Sequence, residues 1–388
     1  RCTVIAAAGK DAMGAHAVMG EICRQVPTSS PSIISAIVEA RCATLDQTIH
    51  LPLESLRRLD EPAFLERLMQ LIYARPEVAG AAIWGFRAHG WVESTPSSVP
   101  VLQVALRHDD DQIRQQAFFC CGQLIRQAPV AMAEVLETEA PDSPHAALRA
   151  LRDAGGDDFD AWVQSLDQQA WAAVLRLLVA TGAWGEWELS QMLAAFARCD
   201  PEAAARQVVV AVSRDGMPNG ETLIEGLPDI LASTPAALHT VLSECMNASD
   251  EQRARLQVVF PSLIGSPVTD AAAAVLTTLV DDVADDDLLR LTVLLERCES
   301  LVPLRPQLVE RVLARAAAID VDVQECVRRS LLHGALPRVD VGFGEGPPPK
   351  LARLRASAEA HSVDHSLSEE TRAFYAEMLR ETMWKEPE

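Results

Sequence analysis

Lysine is nearly missing from this 388-residue sequence: Lys10, Lys350 and Lys385 are the whole complement. Even with arginine added, 34 cationic side chains face 55 acidic ones and leave a formal charge of −21. That balance argues against a general grip on nucleic acid or on an anionic membrane, where cations must neutralise phosphates. Aromatic residues are 5% of the chain, so its core must be mostly alanine, leucine and valine. No apolar run approaches the length of a membrane-spanning helix. Val4 to Gly9 is too short, and too soon interrupted by Lys10 and Asp11, for a secretory segment. C-x-x-C is missing as well, and the nine cysteines are odd in number: Cys2, Cys23, Cys42, Cys120, Cys121, Cys199, Cys245, Cys298 and Cys326. Neither a disulfide framework nor a zinc site is indicated, and a reducing cytoplasm is the expected setting.

What is present is a hydrophobic fraction of 49%, ample for a large core and contrary to wholesale disorder. It is organised by a period. The steps from Pro62 through Pro96, Pro129, Asp167, Pro201, Pro235 and Pro267 to Pro303 are 34, 33, 38, 34, 34, 32 and 36 residues. Pro27 or Pro31 would extend the series upstream. Proline suits the first position of a helix because its missing N–H would be unpaired there. Thr95, Asp200, Thr234 and Ser266 stand ready as caps. Seven residues on, Met69, Leu136, Val174, Val208 and Leu242 return to the starting face after two turns.

A second helical pattern follows in each unit, clearest at 110–125, where Ile113, Ala117, Phe118, Cys121, Leu124 and Ile125 recur at three- and four-residue steps. Others are expected near 219–232, 250–260, 285–298 and 321–333. Sustained two-residue alternation is missing, which argues against sheet. Two helices per unit make a hairpin that cannot bury its apolar face alone, so neighbours must stack.

The segment DQIRQQAFFCCGQL resembles the second helix of a HEAT repeat. Asp110 or Asp111, Ile113, Arg114, Ala117, Gly122 and Leu124 fill that family's pattern; across 62–333 the period alone carries the likeness. The Trp…Leu-Gly…Tyr signature of tetratricopeptide repeats is missing, and His239 is out of place for an ankyrin unit. The resemblance implies an all-α fold: a right-handed α-solenoid of about eight or nine HEAT- or armadillo-like hairpins with C-terminal capping helices.

The expected organisation is N-terminal capping helices over 1–60, a first half-array over 61–152, an acidic Gly-containing insertion or hinge over 153–166, and a second half over 167–336. A Pro/Gly-rich linker over 337–350 and helices over 351–388 follow. Ser366 and Glu369 fit a capping box before an apolar stripe of Phe374, Tyr375, Met378, Leu379 and Met383.

Catalytic motifs are missing: no G-x-x-x-x-G-K-[ST], no H-E-x-x-H, no G-x-S-x-G. His361 and His365 are spaced like ligands but stand in a polar turn, and two ligands fall short of a metal site. Cys120 and Cys121 would project about 100° apart on a helix and read as core. No cofactor or metal is expected. Lys350, Arg353 and Arg355 read as a solvated helix face. The candidate partner-binding residues are Trp84, Arg87, His89 and Trp91, in the segment WGFRAHGW, and Trp184 and Trp187, because tryptophan anchors interfaces. The acidic set Asp281, Asp282, Asp285, Asp286 and Asp287 could meet a basic partner.

The expected function is a non-enzymatic protein–protein interaction scaffold whose partner is a protein or peptide, with a basic surface as one option and nucleic acid disfavoured. Two alternatives differ in class. One is the sensing or regulatory portion of a larger bacterial protein, or a secreted effector, suggested by the Arg1 start and arginine-heavy composition. The other is an enzyme on the same scaffold: HEAT-like families include DNA glycosylases, bilin lyases and a hydroxylase. The first would need a cationic face, and the last His-Glu pairs, which this chain lacks.

Overall fold

The computed structural model describes residues 34–39, 49–91, 96–215, 224, 226–296, 298, 300–336 and 349–382. Among these, every regular element is helical and no strand occurs. No described helix is long and apolar enough to cross a membrane. Pro27, Pro31, Thr95, Met383 and residues 337–348 lie outside the described residues. The chain forms two compact units, Arg1–Gly182 and Ala183–Glu388.

The first unit contains α1 (His50–Leu59), α2 (Glu61–Ala74), α3 (Pro76–His89), a 3₁₀ turn (Pro96–Ser98) leading into α4 (Val99–Leu106), α5 (Asp111–Gln127), α6 (Pro129–Glu137), α7 (Pro144–Gly155), α8 (Phe159–Ser165) and α9 (Gln168–Ala180). Aspartates start several of them by accepting free first-turn amides: Asp60 from Ala63 N at 3.0 Å, Asp110 from Gln112 N at 2.8 Å, and Asp167 from Ala170 N at 2.8 Å. Pro76, Pro129 and Pro144 occupy first positions, where no donor is lost. Helix α3 packs on α5, and α5 on α7; α2 packs on α4, and α6 on α9. The α5–α7 approach depends on Gly122, where an added Cβ would lie 2.9 Å from the Ala150 carbonyl oxygen. That accounts for a glycine at this helix crossing.

The second unit contains α10 (Trp187–Cys199), α11 (Pro201–Asp215), α12 (Leu227–Ala232), α13 (Pro235–Asn247), α14 (Asp250–Leu256), α15 (Phe260–Ile264), α16 (Asp270–Asp282), α17 (Asp285–Leu295), α18 (Leu301–Leu304), α19 (Pro306–Ile319), α20 (Val321–Ala335), α21 (Pro349–Ser362) and α22 (Glu369–Glu381). Two rows of helices emerge from the contacts. Helix α11 packs on α13, α13 on α16, α16 on α19 and α19 on α22. Alongside them, α14 packs on α17 and α17 on α20. Helices α11, α13, α16 and α19 begin at residues 201, 235, 270 and 306, so neighbours within the row are about one sequence period apart. Arginines tie consecutive periods together: Arg206 to Glu244 at 2.6 Å, Arg305 to Asp270 at 2.5 Å, Arg311 to Asp281 at 2.5 Å and Arg315 to Asp285 at 2.5 Å.

The expected inward positions Leu136, Val174, Val208 and Leu242 are fully buried, and Met69 is half-buried. Some expected starts are displaced. Pro267 follows Ser266 in a cis peptide, and α16 begins three residues later under the cap of Thr269, which accepts from Ala272 N at 3.1 Å. Pro303 falls within the short α18, so the long helix of that period starts at Pro306. Thr234 gives α13 no side-chain cap; its hydroxyl is turned to the Ile230 carbonyl, to which it donates. At α22 the cap is Ser368, which accepts from Thr371 N at 3.2 Å, while Ser366 bonds Asp364 at 2.7 Å.

The acidic stretch 153–166 is mostly helical. Helix α7 runs to Gly155, Asp158 caps α8, and Gly156 turns the chain with φ +67°. The Phe159 ring lies where a Gly155 Cβ would stand, at 2.3 Å, so glycine here permits a tight turn between helices. The two compact units meet in sequence at Gly182 and Ala183.

Candidate partner-binding face

The residues singled out as partner-binding fall into three places, and the structure treats them differently. Trp84 and Arg87 lie one turn apart on α3, within the first unit. Trp84 is 37% exposed and stacks on Phe119 of α5, ring centroids 5.8 Å apart and planes at 14°. The Arg87 guanidinium sits 4.4 Å from the Phe119 centroid and 5.2 Å from that of Trp84. The cation therefore lies within reach of two aromatic rings, a favourable quadrupole contact. Phe119 was not among the candidates; only its place one helix over from Arg87 gives it this role.

From the Trp84 end, a groove of about 540 Å³ runs between α3 and α5, lined by Glu77, Gly80, Ala81, Gln112, Gln115 and Gln116 among others. Gly80 keeps it open, its position reaching only Gln116 Cγ at 3.5 Å. Beneath the ring stack, the Cys120 thiol donates to the Ile83 carbonyl. Burial pushes this thiol up to about 12 against the pull of Arg87, so no reactive thiolate stands there.

His89 and Trp91 turn inward. Trp91 is fully buried, so it does not share a surface with Trp84. Its indole N–H donates to Glu54 Oε2 at 2.7 Å, and its ring meets the edges of Phe64 and Phe86. Gly85 makes room for it, since a Cβ there would come within 2.1 Å of the ring. His89 is half-buried, its Nε2 3.0 Å from His50 Nδ1. Burial lowers its pKa; the Glu54 carboxylate pulls the other way, while Arg58 and Arg57 add to the lowering. The ordering is physical: a tryptophan after the helix-ending Gly90 folds back onto the core, whereas one inside the helix keeps its face.

In the second unit the same split recurs. Trp184 is buried in the turn before α10, and Trp187, the first residue of that helix, is 65% exposed. The acidic residues bracket the α16–α17 connection, where Asp285, Asp286 and Asp287 face the positive end of α17. Arg311 pairs with Asp281, Arg315 with Asp285, and Arg290 with Asp287 at 2.5 Å. The Arg311 hydrogen bond holds the Asp281 carboxyl below its usual range. Asp282 and Asp286 are exposed. Much of this acidic charge is thus already answered within the chain.

A second hollow of about 690 Å³ in the first unit is lined by Arg126, Asp157, Asp158, Trp162 and Asp167. Asp158 and Asp167 are engaged as helix caps. His361 approaches the Pro303 carbonyl at 3.3 Å and packs on Tyr375, while His365 bonds Arg372 at 2.8 Å. Among the described residues, no three His, Cys, Asp or Glu side chains are grouped to hold a metal. No known family's sequence pattern matches the chain, and no curated protein sequence matches it.

Proposed function

We propose that this chain is a protein–protein interaction scaffold, built as HEAT- or armadillo-like hairpins stacked in a right-handed α-solenoid manner, and that it contacts its partner through the α3–α5 face. The observation that carries this reading is the row packing. Helices about one sequence period apart lie against each other, α3 on α5 on α7 in the first unit and α11 on α13 on α16 on α19 in the second, so within each unit an added hairpin extends the surface. Such a surface offers area in place of an enclosed reactive cleft. Trp84, with Arg87 and Phe119 beside it, supplies the kind of aromatic and arginine cluster on which binding energy concentrates. The acidic residues at 281–287 serve helix starts and inter-helix ion pairs, which leaves the aromatic face as the stronger contact region.

The test is crosslinking and affinity purification from the native host with the full chain and with Trp84→Ala. A stoichiometric protein partner retained by the wild type and lost by the variant is the expected result. A partner held equally by both, or turnover of a small molecule by the purified protein with no partner captured, would defeat the proposal.

A further inference from the structure

Among the described half-buried arginines, Arg57, Arg67, Arg75, Arg114, Arg176, Arg206, Arg255, Arg305, Arg315 and Arg328 each pair with a carboxylate, and Arg372 bonds a histidine. Arg87 is the exception. It is half-buried, and its guanidinium lies by the Trp84 and Phe119 rings with no carboxylate paired to it among the described residues. In a chain carrying 55 acidic side chains, a cation in that position with no carboxylate calls for an explanation.

Stacking supplies part of it. Ring contacts use the flat face of a guanidinium and leave the N–H donors on its edge unspent. Because two aromatic faces already fix the side chain, little further rotamer freedom is lost when an acceptor arrives. A carboxylate takes two parallel hydrogen bonds from such an edge.

The adjoining groove defines the rest of the ligand. Ile113 and Ala81 give it an apolar floor, while Gln112, Gln115 and Gln116 along α5 line its side. Each amide offers donors and an acceptor together, which suits a main chain whose N–H and C=O groups have no partners of their own. At about 540 Å³ the space takes a short stretch of chain, not a folded domain. The acid at the far end, Glu77, is already paired with Arg75 at 2.5 Å.

From these observations we infer that the α3–α5 groove binds an extended peptide of a partner protein through one aspartate or glutamate seated on Arg87, with a neighbouring aliphatic residue against Trp84. Charge complementarity selects a carboxylate over a phosphate. A phosphate brings roughly two negative charges, and the groove beside Arg87 is lined by no cation that could share them. The inference rests on the interaction-surface reading above and specifies its ligand.

The probe is a set of acetylated, amidated hexapeptides with one glutamate beside leucine or proline, each matched by a glutamine twin and a phosphoserine twin. Binding to the full chain is read by fluorescence anisotropy at low and high salt. Glutamate members should bind at least about tenfold tighter than glutamine twins, with the gap narrowing as salt rises. Arg87→Gln should erase the gap, and Arg87→Lys should keep only part of it, because a point charge lacks the fork. Circular dichroism establishes that each variant is folded; should Arg87→Gln fail there, a gap unchanged in Arg87→Lys overturns the inference by itself. Equal binding of glutamate and glutamine twins, or a stronger phosphoserine twin, would also overturn it. Equal binding that Trp84→Ala abolishes would remove the carboxylate anchor yet keep the interaction face. Failure of every peptide, with a native partner still dependent on Trp84, would do the same.

Discussion

Neutralising Glu54 should loosen the first unit in a way that depends on pH. Glu54 is 7% exposed on α1 and accepts hydrogen bonds from Arg57 Nε at 2.8 Å, Arg58 Nε at 2.6 Å and Trp91 Nε1 at 2.7 Å. Burial alone would raise its pKa. The hydrogen bonds from Arg57, Trp91 and Arg58 outweigh that and hold it at about 2 in place of 4.5. By linkage, at ~1.4 kcal/mol per pKa unit, the ionised form contributes about 3 kcal/mol at neutral pH. The folded value lies below the unfolded one, so this contribution is complete above ~5, shrinks to about 1.4 kcal/mol near pH ~3, and disappears as pH falls through the folded value. Glu54→Gln retains an acceptor for the Trp91 indole but leaves two guanidinium groups without their counter-charge. Urea unfolding, with hydrogen exchange of peptides from α1 to α3 to isolate this unit, should show a loss of about 2–3 kcal/mol at pH ~7 and roughly half that at pH ~3. Equal losses at both pH values would refute the assignment of this stability to the carboxylate charge.

Two further perturbations test the packing. Leu242 is fully buried on α13, so Leu242→Arg places an unpaired charge in the core of the second unit and should cost several kcal/mol; an unchanged melt would show that the inward face of α13 is misassigned. Gly122→Ala gains about 1 kcal/mol of helix propensity, yet its Cβ would press on the Ala150 carbonyl and Asp153 Cβ of α7. Overpacking of about 1–3 kcal/mol should win, and a variant as stable as wild type in urea would mean that α7 yields without strain.

The sequence determined helix content, period and which faces are apolar, because these are local. Proline at a first turn, aspartate accepting two or three residues on, and aliphatic residues at seven-residue returns need only the geometry of one helix; thus Asp167, Pro201 and Pro235 start helices, and Leu136, Val174, Val208 and Leu242 are buried. Where two serines or threonines competed for one cap, as Ser366 with Ser368 and Ser266 with Thr269, spacing alone chose the wrong one, since backbone conformation selects the acceptor. The candidate site was legible only in part. Trp84 and Trp91 look alike in WGFRAHGW, but Gly85 and Glu54 bury one of them, and a residue far along the chain decides that. Likewise the acids at 281–287 resemble a docking patch until helices one period away bring Arg311 and Arg315 against them. Which charges are answered and which, like Arg87, meet no carboxylate among the described residues is a property of neighbours across space, and only the packing of helix on helix could decide it.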